Sequence, residues 1–587
     1  TSSKSLKLGP AASRKMRRAK LALCRLRAPQ KGVAHVKVCR VGGRSEMVRL
    51  SHCAPVRLLP MATAAAERSG TAWCALCSCG GGFLGGDEVD VSVEVGQNAM
   101  LGLTTQASTK VYQAKDDGRM AIQRMDATIE QGGLVVLTPD PLVPFANSSY
   151  SQRLRFVLSA ASGMAPGASA VIVDWLGAGR VAQGERWAFK DYRSRVEVVR
   201  EDGELIESLS LRGSEAFLGA MGFDACLTIF AFGPLAEEVV TQLQIAATWL
   251  AGRSGARVSH VPSDMPKLTG RAVMGLTKLS DGAVARLMAE KTEDVYRILH
   301  HCLSPLSQHL GVEPYADRVH GIESLPETPL PTRTSAVRTE GAKEMVGLTL
   351  DLDLKRALTL CQLTDATLPV GGFAHSNGIE AASQLGLCQS EDVESLRTLV
   401  VHGARSMLRL QGYFVKAAHQ LGGEEELDSW KTLDLKLHAY LASNGVASRA
   451  SSSQGAGLIR VGRHWRTTST WPKKGHYATA FGLLAARLDL DQATTLQAFA
   501  FSTVRDSISA AVRLNLLGPL LAVELQASIL KDLEEDILEL ISADACISLE
   551  DPALLGKRKQ TWPASCAPLL DCVHSGHDLL EARLFLT

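Results

Sequence analysis

The polar and apolar positions of this chain follow two different periods, one in each half. From Asp87 to Val95, Val89, Val91, Val93 and Val95 fall on one side, and Asp90, Ser92 and Glu94 on the other. A period of two over this length predicts a half-buried strand. Gly96, Gln97 and Asn98 follow as a turn, and a second strand runs through Leu103, Thr104 and Thr105. Gly132-Gly133 and Pro139-Asp140-Pro141 punctuate further strands, and Val171–Trp175 and Arg195–Arg200 continue the pattern. With no helices between these strands, the pattern predicts an antiparallel sheet pair, not a βαβ fold. Helical periodicity enters this half only at Ala236–Leu250 and Ala283–Leu303.

Further along, the period changes. Residues 326–347 are rich in Pro, Thr and Ser and have no hydrophobic period, which predicts a linker. Glu391–Leu410 then places Val393, Leu396, Val400, Ala404, Met407 and Leu410 on one stripe, at steps of three or four. Thr494–Leu517 and Leu520–Ile541 behave in the same way. The chain therefore reads as multidomain. A basic extension over 1–30 precedes a mainly-β two-sheet scaffold over 31–325, then the linker, then an all-α domain over 348–587. There are no internal repeats.

A chain of 587 residues is too long for one ordinary core, in line with this division. Its net charge is only +2, which argues against a general nucleic-acid binder, but the average hides an asymmetry. Residues 1–45 hold 13 Lys or Arg and no acid, leaving the remainder at −11. The basic arm is Ser- and Ala-rich, an organelle-transit composition; an extraneous leader fits it equally. The longest uncharged run, Phe156–Val173, is broken by Gly163, Pro166 and Gly167, so no membrane span is expected. Thirteen scattered Cys suit free thiols in a reducing, cytoplasmic setting.

Catalytic motifs are missing. There is no phosphate-binding P-loop, no nucleophile elbow and no His-Glu-x-x-His helix. The Gly-rich run Gly80–Gly86 leads into a strand, whereas a dinucleotide loop needs a helix N-terminus. Cys74, Cys77 and Cys79 could hold a soft metal, but small buried residues on a core strand explain them better. Cys572 and His574, with His577, are a second candidate for transient metal contact. His375 and His476 read as structural imidazoles. Three acids stand out: Asp87 closes the Gly loop, Asp174 sits in the apolar run Val173–Trp175, and Glu207 lies between Ile206 and Ser208. A carboxylate in an apolar strand is costly unless paired or hydrated. Such residues are either singly bonded structural acids or the oxygen ligands of a passage that lets a divalent ion move without trapping it.

Two sets of motifs carry a family resemblance. Gly80–Asp87, Leu103–Tyr112 (with Gln106, Lys110 and Tyr112), Pro139–Pro141, Tyr150–Gln152 and Val173–Arg180 resemble the urease accessory family UreD, also called UreH. Leu363–Glu380, which contains Gly371, Gly372, Phe373, His375, Ser376 and Glu380, resembles UreF. So do Arg449–Gly455, Val504–Asn515 (with Arg513), Pro568–Asp571 and Arg583–Phe585. The first resemblance implies a two-sheet β scaffold and a nickel passage through Asp87, Thr109, Asp174 and Glu207. The second implies an all-α domain that dimerises, binds UreD and recruits the GTPase UreG. The segment before His476 departs from its relatives, which puts the GTPase-facing surface in question.

Joined in one chain, two binding partners meet at an effective concentration on the order of mM. The combined reading is a non-catalytic urease maturation factor. It would dock on apo-urease, present a GTPase, form a homodimer through the helical half and pass Ni²⁺ without keeping a permanent cofactor. Two other readings stay open: an interaction adaptor whose acids are structural, and a metal-dependent hydrolase built on Cys74, Cys77 and Cys79.

Overall fold

The computed structural model describes residues 30–61, 69–78, 80–114, 119–213, 217–257, 265–323, 354–390, 392–465, 470–543 and 562–587. The basic extension up to residue 29, Cys79 and the 326–347 linker lie outside these residues.

Valine- and leucine-rich alternating strands build the first half as two sheets packed face to face. Among the described residues one sheet has seven strands. It runs from edge strand Gly203–Leu211 through Asp191–Arg200, Ser149–Leu158, Ala121–Ile129, Glu88–Val95 and Lys31–Val41 to Arg44–His52. The second sheet begins with Ala272–Leu279, Gly282–Ala289, Ala225–Phe232 and Ser169–Gly177. It continues through Leu134–Thr138, Met100–Thr105 and Ala72–Ser78 to Val56–Pro60.

The expected antiparallel pairing is corrected: the centres of both sheets are parallel. Glu88–Val95, Ala121–Ile129, Ser149–Leu158 and Asp191–Arg200 all run the same way, as do Ala72–Ser78, Met100–Thr105, Leu134–Thr138 and Ser169–Gly177. The chain climbs in one sheet and returns in the other, turn after turn. Neighbours within a sheet are thus one coil apart and parallel, with no crossover helix needed. Antiparallel pairs appear only toward the edges.

The two faces of the second sheet differ in destination. Ile172, Leu176, Phe230, Val284 and Met288 point into the sandwich. Val171, Val173, Trp175, Ile229 and Leu287 point outward, under helices Glu237–Arg253 and Thr292–Leu303. The expected helix over Ala283–Leu303 is therefore corrected. Gly282–Ala289 is a strand, and the helix starts only at Thr292. A short apolar run buried on both faces has no distinguishing period.

The second half is helical throughout its described residues. Helix Val393–Met407 buries Leu396, Leu399, Val400, Val401 and Ala404, and Gln492–Arg513 is the central, most enclosed helix. Asp392, Asn444 and Asp491 cap helix N-termini by accepting from Ser395, Ala447 and Thr494 N–H groups. The single helix expected over Leu520–Ile541 is two, Pro519–Asp532 and Glu534–Ser542, broken at Leu533.

The halves are packed on one another. The open edge Gly203–Leu211 would leave a row of unpaired backbone groups. Ser565 covers it: its N–H donates to the Ser208 carbonyl at 2.9 Å, and Ser210 N–H donates to its carbonyl at 2.8 Å. Helix Leu427–Leu441 lies along the same strand, where Arg195 donates to the Tyr440 hydroxyl at 2.7 Å and Lys436 pairs with Glu204 at 3.3 Å. Helix Pro568–Ser575 sits on strand Ala272–Leu279 at Gly275, where a Cβ would stand 1.8 Å from the Cys572 carbonyl oxygen.

Candidate functional site

On the largely apolar inner face of the second sheet, one row carries polar and charged side chains on neighbouring strands. Strand register sets Asp174 beside Thr228, Thr228 beside Arg286, and Arg286 beside Gly275. Facing this row from the first sheet are Gln152 and Ser194, themselves register partners, and Gln123 beside Gln152. A polar seam thus crosses the sandwich at one level.

Asp174 is held from the opposite sheet. Gln152 Nε2 donates to its Oδ1 at 2.7 Å, and Ser194 Oγ donates to its Oδ2 at 2.6 Å. Burial pushes its carboxyl above the usual range. The two donors pull the other way, and nearby Glu207 adds to the rise. Tyr150 donates to Gln123 and Gln152, and its ring lies 6.1 Å from that of Tyr192. Burial, then Asp174, push both phenols well above their ordinary value, so both are neutral.

Glu207 faces inward from the edge strand and meets Arg286 of the other sheet. Nε and Nη2 of Arg286 donate to its two oxygens at 2.9 and 2.5 Å. The same guanidinium donates to the carbonyl and the hydroxyl of Ser443 in the helical half, both at 2.9 Å. Behind this ion pair, between the halves, lies a cavity of about 130 Å³. Glu207, Arg286, Asp571 and His574 are on its wall. Asp571 accepts from Ser565 Oγ, and burial raises its carboxyl to about 6 against the pull of Arg286. Burial holds the His574 imidazole neutral, its pKa pushed down to about 3. Its Nε2 is sealed from solvent and has no partner among the described residues.

The structure brings Asp174 and Glu207 into one region and gives Asp87 and Thr109 other settings. Asp87 is fully buried and ties the Gly-rich turn to the residue before strand Lys31–Val41, accepting from Leu84 N–H at 2.9 Å and Gln30 N–H at 3.0 Å. Thr109 opens the short strand Thr109–Val111, whose N–H bonds to the Pro141 carbonyl. Beside it Lys110 is exposed, and Tyr112 donates to the Gly80 carbonyl. Gln106 lies on a separate cavity of about 750 Å³ on the outer side of the second sheet, near Asp140 and Arg318.

The metal candidates do not converge: among the described residues no three His, Cys, Asp or Glu side chains come together closely enough to hold an ion. Cys572, a candidate for transient metal contact, lies on helix Pro568–Ser575. It is fully buried, its thiol donates to the carbonyls of Arg286 (3.2 Å) and Val273 (3.5 Å), and burial raises its pKa to about 12. Cys74 is buried too, its thiol pushed up to about 11. His577 is sealed inside and bonds Glu380 at 2.9 Å.

The Leu363–Glu380 motif anchors residues 584–587. Gly371 adopts a positive φ of 82°, and a Cβ on Gly372 would stand 2.6 Å from Asp506. His375 meets the Thr587 hydroxyl, and Ser376 N–H donates to the Thr587 carbonyl. Glu380 takes N–H bonds from Leu584 and Phe585; burial opposes its charge, but these and His577 keep its carboxyl low. Phe373 stays 66% exposed, with Arg513 donating to its carbonyl.

Arg286 was missed by the sequence reading, although a signal existed. It is the single charged residue of the apolar strand Gly282–Ala289, the same anomaly that singled out Asp174.

Comparison with known proteins follows the same division. The family described as UreD urease accessory protein matches residues 30–321, and the UreF family matches 390–530. Urease accessory protein D of Oryza sativa subsp. japonica is 32% identical over 304 residues, spanning 49% of this chain and 96% of the relative. UreD of Sorangium cellulosum is 36% identical over 294 residues, 49% of this chain and 85% of the relative. Urease accessory protein F of Arabidopsis thaliana is 36% identical over 236 residues, 38% of this chain and 90% of the relative. With each relative covered nearly end to end, the chain belongs to two urease accessory families at once, UreD through its β half and UreF through its helical half.

Proposed function

We propose that this chain is a scaffold for loading nickel into apo-urease, with the polar seam and the cavity behind it as the path of the ion. The observation that carries the reading is a run of polar groups: Asp174 with Gln152 and Ser194 inside the sandwich, Glu207 close enough to act on the Asp174 carboxyl, and Asp571 and His574 with Glu207 on the cavity wall. It crosses a largely apolar sandwich and ends where the two halves meet. Carboxylates and hydroxyls hold a first-row dication more weakly than thiolates or imidazoles, which suits transit. Ni²⁺ is cargo here; this chain's residues would replace part of its water shell and release it.

The β half would dock on apo-urease, and the helical half would receive a GTPase of the UreG kind and pair with a second copy. Leu520, 86% exposed, and Val523, 69% exposed, leave an apolar stripe on helix Pro519–Asp532 that supports such pairing. A structural role for the acids is favoured only at Asp87, whose oxygens serve the turn. The test is urease activation by the full chain carrying Asp174→Asn, which keeps the shape and removes the charge. The expected result is activation reduced at least tenfold with urease binding retained. Unreduced activation would remove the seam from the path and leave an adaptor.

A further inference from the structure

We propose that Arg286 is the gate of this path: a protein-borne cation that closes the crossing between the halves, latched by Ser443, and gives way to a divalent ion. The inference rests on the nickel-path reading above and adds its regulation. Arg286 is 2% exposed, and among the described residues its guanidinium donates to Glu207 in the first sheet and to Ser443 in the helical half. It stands in the same strand row as Asp174, with Thr228 between them, and it lines the cavity, so it sits between the seam and the cavity.

The electrostatics favour exchange over simple opening. A buried carboxylate left without a counter-ion is strongly unfavourable. With the path empty, Arg286 neutralises Glu207. A dication arriving from the cavity neutralises Glu207 instead, and repels the guanidinium. One counter-ion replaces another, and Glu207 is never left bare. There is room for this: a water occupies about 30 Å³ of liquid, so the cavity of about 130 Å³ admits an ion with part of its hydration shell. Asp571 and the unpartnered Nε2 of His574 offer an acceptor to either cation.

The latch gives the gate a handle. Ser443 lies between helices Leu427–Leu441 and Gly445–His464, and both of its contacts to Arg286 come from this corner. A shift of these helices withdraws two acceptors from the guanidinium at once. Whatever binds the helical half can thereby set the ease of exchange.

The experiment is retention of radioactive Ni²⁺ by the purified full-length chain after rapid desalting, with folding checked by gel filtration. Arg286→Met is expected to retain at least tenfold more Ni²⁺ than the parent chain, because Glu207 then needs another counter-ion. Adding Glu207→Gln should abolish the gain. Ser443→Ala, which leaves the ion pair in place, should take up and release Ni²⁺ several-fold faster; it decides the matter if Arg286→Met does not fold. Parent-like retention and exchange in the folded variants would overturn the gate. The path is scored separately by Asp174→Asn in urease activation. If Asp174→Asn abolishes activation while Ser443→Ala exchanges Ni²⁺ like the parent chain, the path stands and the gate falls. If Asp174→Asn is harmless, the path itself is wrong.

Discussion

Buried polar side chains in this molecule have distinct jobs that substitution can separate. Lys416 is buried in the helical half, and its ammonium donates to the carbonyls of Leu540, Ile541 and Ala543 at the end of helix Glu534–Ser542. Lys416→Met keeps the bulk and strands those carbonyls, a loss of about 2 kcal/mol. Thermal melting of the helical half should fall by roughly 4–8 °C. His476 and His574 make a pH prediction. Burial lowers their pKa values to about 4 and about 3, below the free imidazole value. Folding thus binds them neutral. Their contribution is whole above pH 6.5 and is lost as pH falls toward 4, at about 1.4 kcal/mol per unit for each proton. Asp571 has the opposite sign: its folded pKa of about 6 is raised, so acidification from 6 to 4 favours the folded chain and offsets one of the two. Acidification from pH 6.5 to 4 should therefore cost His574→Gln less melting temperature than it costs the parent chain. An unchanged slope would place His574 outside the buried neutral set.

At the scale of elements, what was legible in the sequence depended on whether one face of an element meets water. Glu88–Val95 alternates because the sheet carrying it is covered on one side only, and Val393–Met407 shows its stripe for the same reason. Gly282–Ala289 is covered on both faces and has no amphipathic period, so its sequence does not distinguish strand from helix. Parallel pairing was hidden because the coil joins strands across the sandwich, a relation between distant turns that no local pattern carries. Asp174 and Glu207 announced themselves as charges in apolar surroundings. Their grouping, and the entry of Arg286 and Ser443, depended on register and on contact between the halves. Gly275 offers an element-scale test. Gly275→Val would force helix Pro568–Ser575 off the sheet, where even a Cβ meets the Cys572 carbonyl. With a protease site engineered into residues 326–347, the cut parent halves should co-elute in gel filtration and the Gly275→Val halves should part. Co-elution of the variant would show that the remaining contacts suffice.

For the whole molecule, one polypeptide holds what its relatives carry as two proteins, and the cavity and the Ser443 latch on Arg286 need both parts. Covalent connection keeps the edge strand Gly203–Leu211 covered by Ser565 at any dilution. Among the described residues no helix is long and apolar enough to cross a membrane. The most direct test of the account is complementation: this single chain is expressed with urease subunits and a UreG GTPase in cells lacking their own UreD and UreF. The account predicts nickel-dependent urease activity from the one chain, lost with Asp174→Asn. Absence of activity with the chain folded and abundant, while the separately expressed halves restore it, would contradict the claim that both roles act from one polypeptide.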